Sequence, residues 1–229
     1  MKNKNYVVKG TPIVPALCGI GMVVLWYMFF YFLDGKWSFT MNSLSFADLS
    51  GSDIYFTVLS LLIPVIFFIG VLFLAEIHVR WMIPVLLIPV IEEISVFLFY
   101  FIANEPEYIF LSPIQFFAPF LALILFALTV EGIIPTKWVF VGFCGAAILL
   151  PLILTFCGAG EFVFSQQTYD AEYNPITVSG YLWSNYLSFA LYYVGLGALG
   201  VQMRFPKESE LIAVQEDPAE EAAEEPEEI

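Results

Sequence analysis

The sequence predicts an all-α integral membrane protein: a bundle of six transmembrane helices with cytosolic termini, proline-kinked helices and a disordered acidic C-terminal tail. Three observations lead there. Hydrophobic residues make up 60% of the 229-residue chain, against ~45–50% in globular domains. Charged residues make up only 13%, against about 25%. The apolar residues also fall into six runs of the length, about 20 residues, that a helix needs to cross a bilayer.

The runs cover 12–33, 54–75, 81–103, 109–130, 138–157 and 181–201, which makes 12–204 one transmembrane domain between a cytosolic segment 1–11 and a tail at 205–229. The first run follows Lys2, Lys4 and Lys9, as a secretion signal would. It is too long for one and lacks a small-residue cleavage pattern, so it reads as an uncleaved first span. With the N-terminus inside, Lys2, Lys4, Lys9, Arg80, Lys137, Arg204 and Lys207 are cytosolic and only Lys36 lies outside. That asymmetry is the positive-inside pattern, and it places a multi-pass protein in a plasma or inner membrane.

The connections "EIHVR" and "EGIIPTK" are short, so spans two and three, and spans four and five, are expected as antiparallel neighbours. On the other side, apolar alternation around "YDAEYNP" predicts a small hairpin over the bundle. The outer segments carry Asp34, Asp48, Asp53, Glu105, Glu107, Glu161, Asp170 and Glu172, a rim able to concentrate cations. Ten further acids crowd into 208–229, and the net charge is −14. An acidic balance excludes the clustered Lys and Arg that nucleic-acid binding requires. The tail is expected to solubilise the chain or to dock a basic protein partner.

Six prolines, Pro64, Pro84, Pro89, Pro113, Pro119 and Pro151, lie inside spans two to five. Each removes a backbone donor and frees the carbonyl four residues earlier: Val85 for Pro89, Gln115 for Pro119. Freed carbonyls in a membrane must find partners inside the protein or in a wet cavity. "GLGALG" (Gly195, Gly197, Gly200) has dinucleotide-fingerprint spacing but no preceding strand. Within the sixth span it reads as a surface for close helix packing, and Gly142 with Ala146 reads as a similar pair. The string "LLIPVI" at 61–66 and 86–91 lies on consecutive antiparallel spans, which does not match a three-plus-three inverted repeat, and it reads as chance in a chain rich in Leu, Ile, Pro and Val. Cys18, Cys144 and Cys157 show no metal or disulfide spacing and read as free thiols. His78, alone among charged neighbours, reads as a surface residue; neither a metal nor a cofactor is expected.

The candidate site lies in "IPVIEEISVFLFYFI", residues 88–102. Glu92 is the midpoint of the third run and Glu93 follows it, so the pair is expected at the bilayer centre. An ionised side chain there costs on the order of 2.5–3.5 kcal/mol. Adjacent carboxylates repel and titrate as a coupled pair, and no Lys or Arg lies within another span to neutralise them. Protonation, a bound cation, or donors at matching depth must do so. Gln115, Asn185, Ser188, Tyr192 and Tyr193 are those donors. Intramembrane acids mark ion, proton and solute pathways. The expected function is therefore a small transporter or transporter subunit, with Glu92, Glu93, Gln115, Asn185, Tyr192 and Tyr193 binding a proton, a cation or a small solute. A non-catalytic accessory or scaffold subunit is the alternative.

"PVIEEISVF" also resembles the first motif of the CAAX-protease-like (CPBP) membrane endopeptidases, EExxxR after a proline. The resemblance covers nine residues. Phe97 stands where that motif has arginine, and the later intramembrane histidines of the family have no counterpart. The resemblance therefore implies a degenerate, non-proteolytic relative.

Overall fold

Among the described residues the chain forms six α-helices: α1 (Ile13–Phe32), α2 (Ile63–Gly70), α3 (Met82–Ile102), α4 (Pro113–Val130), α5 (Trp138–Phe156) and α6 (Trp183–Gln202). The computed structural model describes residues 7–10, 12–32, 61–74, 76–102, 113–159, 165–169, 175–179 and 183–204. The acidic rim, Lys36, Lys207 and the tail lie outside these residues. Each helix occupies part of one predicted run. Consecutive helices are packing neighbours, and α6 packs on α1, so the six close into a ring. The two short connections account for the α2–α3 and α4–α5 neighbours, because a helix that turns back within a few residues must lie beside its predecessor.

The segments before α1, between α2 and α3, and after α6 meet at one end of the ring in a small sheet that the sequence did not predict. Strand β1 (Val7–Lys9) lies between β2 (Glu76–His78) and β5 (Met203–Arg204), antiparallel to both. We number the other two strands β3 (Ser165–Tyr169) and β4 (Pro175–Ser179). Val8 faces Ile77 and Met203 across the sheet, and all three are buried against the helical core. One residue on, the alternation of strand side chains turns Lys9 and Glu76 outwards, and they form a 2.6 Å ion pair. His78 accepts a hydrogen bond at Nδ1 from the Arg80 backbone N–H.

Lys137 fastens the same end. Its Nζ donates to the carbonyl oxygens of Val201 and Met203, where the last turn of α6 leaves acceptors without intrahelical donors and concentrates negative partial charge. Partial burial lowers the Lys137 pKa from its ordinary value. After α4 and α5 the chain reverses through Gly132 (φ 74°) and Gly158 (φ 80°), left-handed conformations that glycine adopts without steric cost. At the far end β3 and β4 pair antiparallel, Ser165 with Ser179 through Tyr169 with Pro175, forming a hairpin around the predicted turn.

The glycines of α6 make close approaches. A Cβ on Gly195 would sit 2.7 Å from Phe68 of α2, and one on Gly200 would sit 3.0 Å from Val141 of α5. Gly142 and Ala146, predicted as a packing pair, are both exposed, and nothing lies within 4 Å of a Cβ on Gly142. The inward face of α5 is Phe140, Cys144, Ala147 and Pro151 instead. Large, well-packed side chains on neighbouring positions decide the rotation of a helix, so small-residue spacing alone did not identify its face.

The helix α4 and the helix α5 are long and apolar enough to cross a membrane. Every helix also exposes large apolar side chains outwards, among them Leu17, Ile66, Leu98, Leu121, Leu149 and Leu187.

Candidate functional site

Four of the helices, with Leu61 just before α2, surround a partly open cavity of about 270 Å³. Helix α3 supplies Pro89, Glu92 and Glu93; α4 supplies Gln115 and Pro119; α6 supplies Ser188, Phe189, Tyr192 and Tyr193; Met22 and Leu61 close the remaining wall. Five of the six predicted site residues therefore line one space. Asn185 belongs to α6, but its side chain lies outside the described residues. Met22, Leu61 and Phe189 were not predicted. Phe189 was accessible to periodicity, since it precedes Tyr193 by one helical turn.

The position of the cavity follows from the helix directions. Glu92 is ten residues into α3 from the sheet end, about 15 Å along the axis. Gln115 is the third residue of α4, at its end remote from the sheet, and the four α6 residues run from the remote half of that helix to its middle. The cavity thus occupies the half of the ring away from the sheet. Towards the sheet the ring interior is filled by Phe68, Leu86, Phe126, Phe140, Leu196 and Leu199, all with at most 1% exposure. Phe126 and Phe140 meet edge to face at 5.4 Å, the arrangement that aromatic quadrupoles prefer.

The polar groups around this space divide into satisfied and unsatisfied. Pro89 has no N–H for the Val85 carbonyl, and the Tyr192 hydroxyl donates to that oxygen at 2.7 Å across the ring. Tyr186 likewise donates to the Ile148 carbonyl at 3.0 Å, next to the position whose backbone partner Pro151 removes. Tyr193, the residue after Tyr192, is 1% exposed and its hydroxyl has no hydrogen-bond partner. It lies within electrostatic reach of Glu93 and Cys144. A buried hydroxyl left unpaired costs about 1–3 kcal/mol. Among the described residues neither Glu92 nor Glu93 makes a hydrogen bond or an ion pair.

All four described basic residues, Lys9, Arg80, Lys137 and Arg204, belong to the sheet end. The cavity therefore gathers two carboxylates, an amide, hydroxyls and aromatic faces, and no cation of its own. Such a set can hold protons or a positively charged guest. Phe97, at the arginine position of the protease-like motif, stacks on Phe101 with centroids 6.1 Å apart and does not line the cavity. No known protein family, curated protein or solved structure matches this chain.

Proposed function

We propose that this chain is a six-span membrane transporter, or the transporting subunit of one, whose Glu92 and Glu93 bind a proton or a cation. The observation that carries the reading is the pair of carboxylates facing one cavity without a basic partner. Burying charge without a partner is costly, and function is the default explanation of acids at this depth. The apolar outer faces of all six helices support six spans, because a soluble surface rarely exposes apolar patches of this extent. The basic residues at the sheet end support cytosolic termini. In that orientation the packed half is the cytosolic half, and the cavity belongs to a pathway entered from the outer side.

The test is flux in proteoliposomes that enclose a pH-sensitive dye, challenged with imposed proton and alkali-cation gradients. Wild-type protein is expected to dissipate a gradient at least tenfold faster than empty liposomes. The Glu92→Gln/Glu93→Gln double variant is expected to match empty liposomes while retaining its unfolding transition. Wild-type flux no faster than the lipid blank, or flux unchanged in the double variant, overturns the proposal.

A further inference from the structure

We propose that the guest of this cavity is an organic ammonium ion, whose N–H groups meet Glu92 and Glu93 while its carbon body rests on Phe189 and Tyr193. This rests on the carboxylate site proposed above and names its ligand class. Three independent features of the cavity lead to it.

The first is donor geometry. Glu92 and Glu93 are successive helix positions, so their side chains leave α3 about 100° apart. A bare divalent ion needs six or more oxygens converging at about 2.0–2.6 Å. Two diverging carboxylates do not provide that shell, but an ammonium carrying several N–H donors can reach outwards to both.

The second is the wall. Phe189 and Tyr193 lie 4.6 Å apart between centroids and are inclined at 53°, while Tyr192 and Tyr193 meet at 5.2 Å and 87°. Rings set at steep angles around one space present π-faces and edges to a guest, the surroundings in which cation–π attraction and apolar burial act together. A hydrated alkali ion gains little from such a wall. The third is the Tyr193 hydroxyl, nearly fully buried and without a hydrogen-bond partner among the described residues, on a residue that lines the cavity. The volume of about 270 Å³ is that of roughly nine waters at about 30 Å³ each, which suits a guest of similar heavy-atom count.

Ammonium and proton then compete for the same oxygens, so acid weakens binding. The ionisable groups facing this competition are Glu92 and Glu93 from α3, Tyr192 and Tyr193 from α6, and Cys144 of α5 behind them. From α1, the segment just before α2, and α4 the cavity meets Met22, Leu61, Gln115 and Pro119, none of which titrates.

The experiment is calorimetric binding of 2-phenylethylamine to the full-length protein in phosphatidylcholine nanodiscs, beside sodium chloride, calcium chloride and the uncharged isostere 2-phenylethanol. Saturable binding of the amine is expected, with affinity about tenfold or more lower in Glu92→Gln and in Glu93→Gln, as loss of a charged hydrogen-bond partner implies. Tyr193→Phe is expected to weaken it severalfold. Lowering the pH on unaltered protein should weaken binding progressively, a readout independent of any variant's folding. Equal affinity for the alcohol, calcium binding that depends on both glutamates, or an affinity insensitive to both Gln variants overturns the assignment.

Adding phosphatidylethanolamine to the nanodiscs separates two sources of the same chemistry. A drop in amine affinity supports the ammonium class with a lipid headgroup as its source; unchanged affinity supports it with a free amine. Amine binding without liposome flux would overturn the transport reading and keep this one. Proton or alkali-cation flux without amine binding would do the reverse.

Discussion

The two halves of the helical ring are built from the same apolar alphabet and treat polar groups in opposite ways. At the sheet end the charged and capping groups are paired: Lys9 has Glu76, the acceptors ending α6 have Lys137, and His78 accepts from Arg80. The interior above that sheet is closed by aromatic and aliphatic side chains. In the other half two carboxylates on a cavity wall and the buried Tyr193 hydroxyl have no hydrogen-bond partner among the described residues. Under the proposed function the contrast separates a half that maintains the fold from a half that binds. Substitutions in the first should register as lost stability, and those in the second as altered binding.

The largest expected effect tests the packed half. Phe68 is fully buried and fills the space beneath Gly195, Gly19 and the Tyr192 ring. Phe68→Ala leaves a cavity and should cost about 3–5 kcal/mol, read as a lowered unfolding midpoint in detergent. A loss below about 1 kcal/mol would mean that this half yields as readily as the other. Next comes Lys137→Met, which removes both the ammonium over the Trp138 ring and the donor at the end of α6. A loss of about 1–2 kcal/mol is expected, and unchanged stability would show that water caps the helix equally well.

The same contrast explains what the sequence made legible. Helices followed from apolar runs whose lengths and polar flanks are set by local composition. The carbonyl freed by Pro89 was legible because a missing backbone donor is a property of one residue; that the Tyr192 hydroxyl reaches it was not, because that contact joins two helices distant in sequence. The three-stranded sheet was not legible, since strands of two or three residues have no periodicity to detect and their pairing joins positions nearly two hundred residues apart. The face of α5 was misread for a related reason. The spacing of Gly142 and Ala146 is local, whereas the rotation that buries Phe140, Cys144 and Ala147 instead is a choice made by the whole bundle. Within the site, the sequence named both tyrosines and could not divide their roles, because about 100° of helix rotation separates a hydroxyl that reaches α3 from one that reaches nothing.

That division yields the sharpest test, for it compares two adjacent residues of one type. Tyr192→Phe strips the Val85 carbonyl of its donor and leaves a buried acceptor without a partner, at a cost of about 1–2 kcal/mol. Tyr193→Phe removes a hydroxyl that has no bond to lose, so its stability should be unchanged or rise slightly. The order for ligand binding should be the reverse, with the Tyr193 variant losing affinity and the Tyr192 variant affected only through its weakened scaffold. Thermal unfolding and amine titration on the two variants side by side separate the roles. Equal destabilisation by both would mean that the Tyr193 hydroxyl already has a partner within the protein. The unpaired hydroxyl would then have to be withdrawn as support for a guest, and the case would return to the two carboxylates and the aromatic wall.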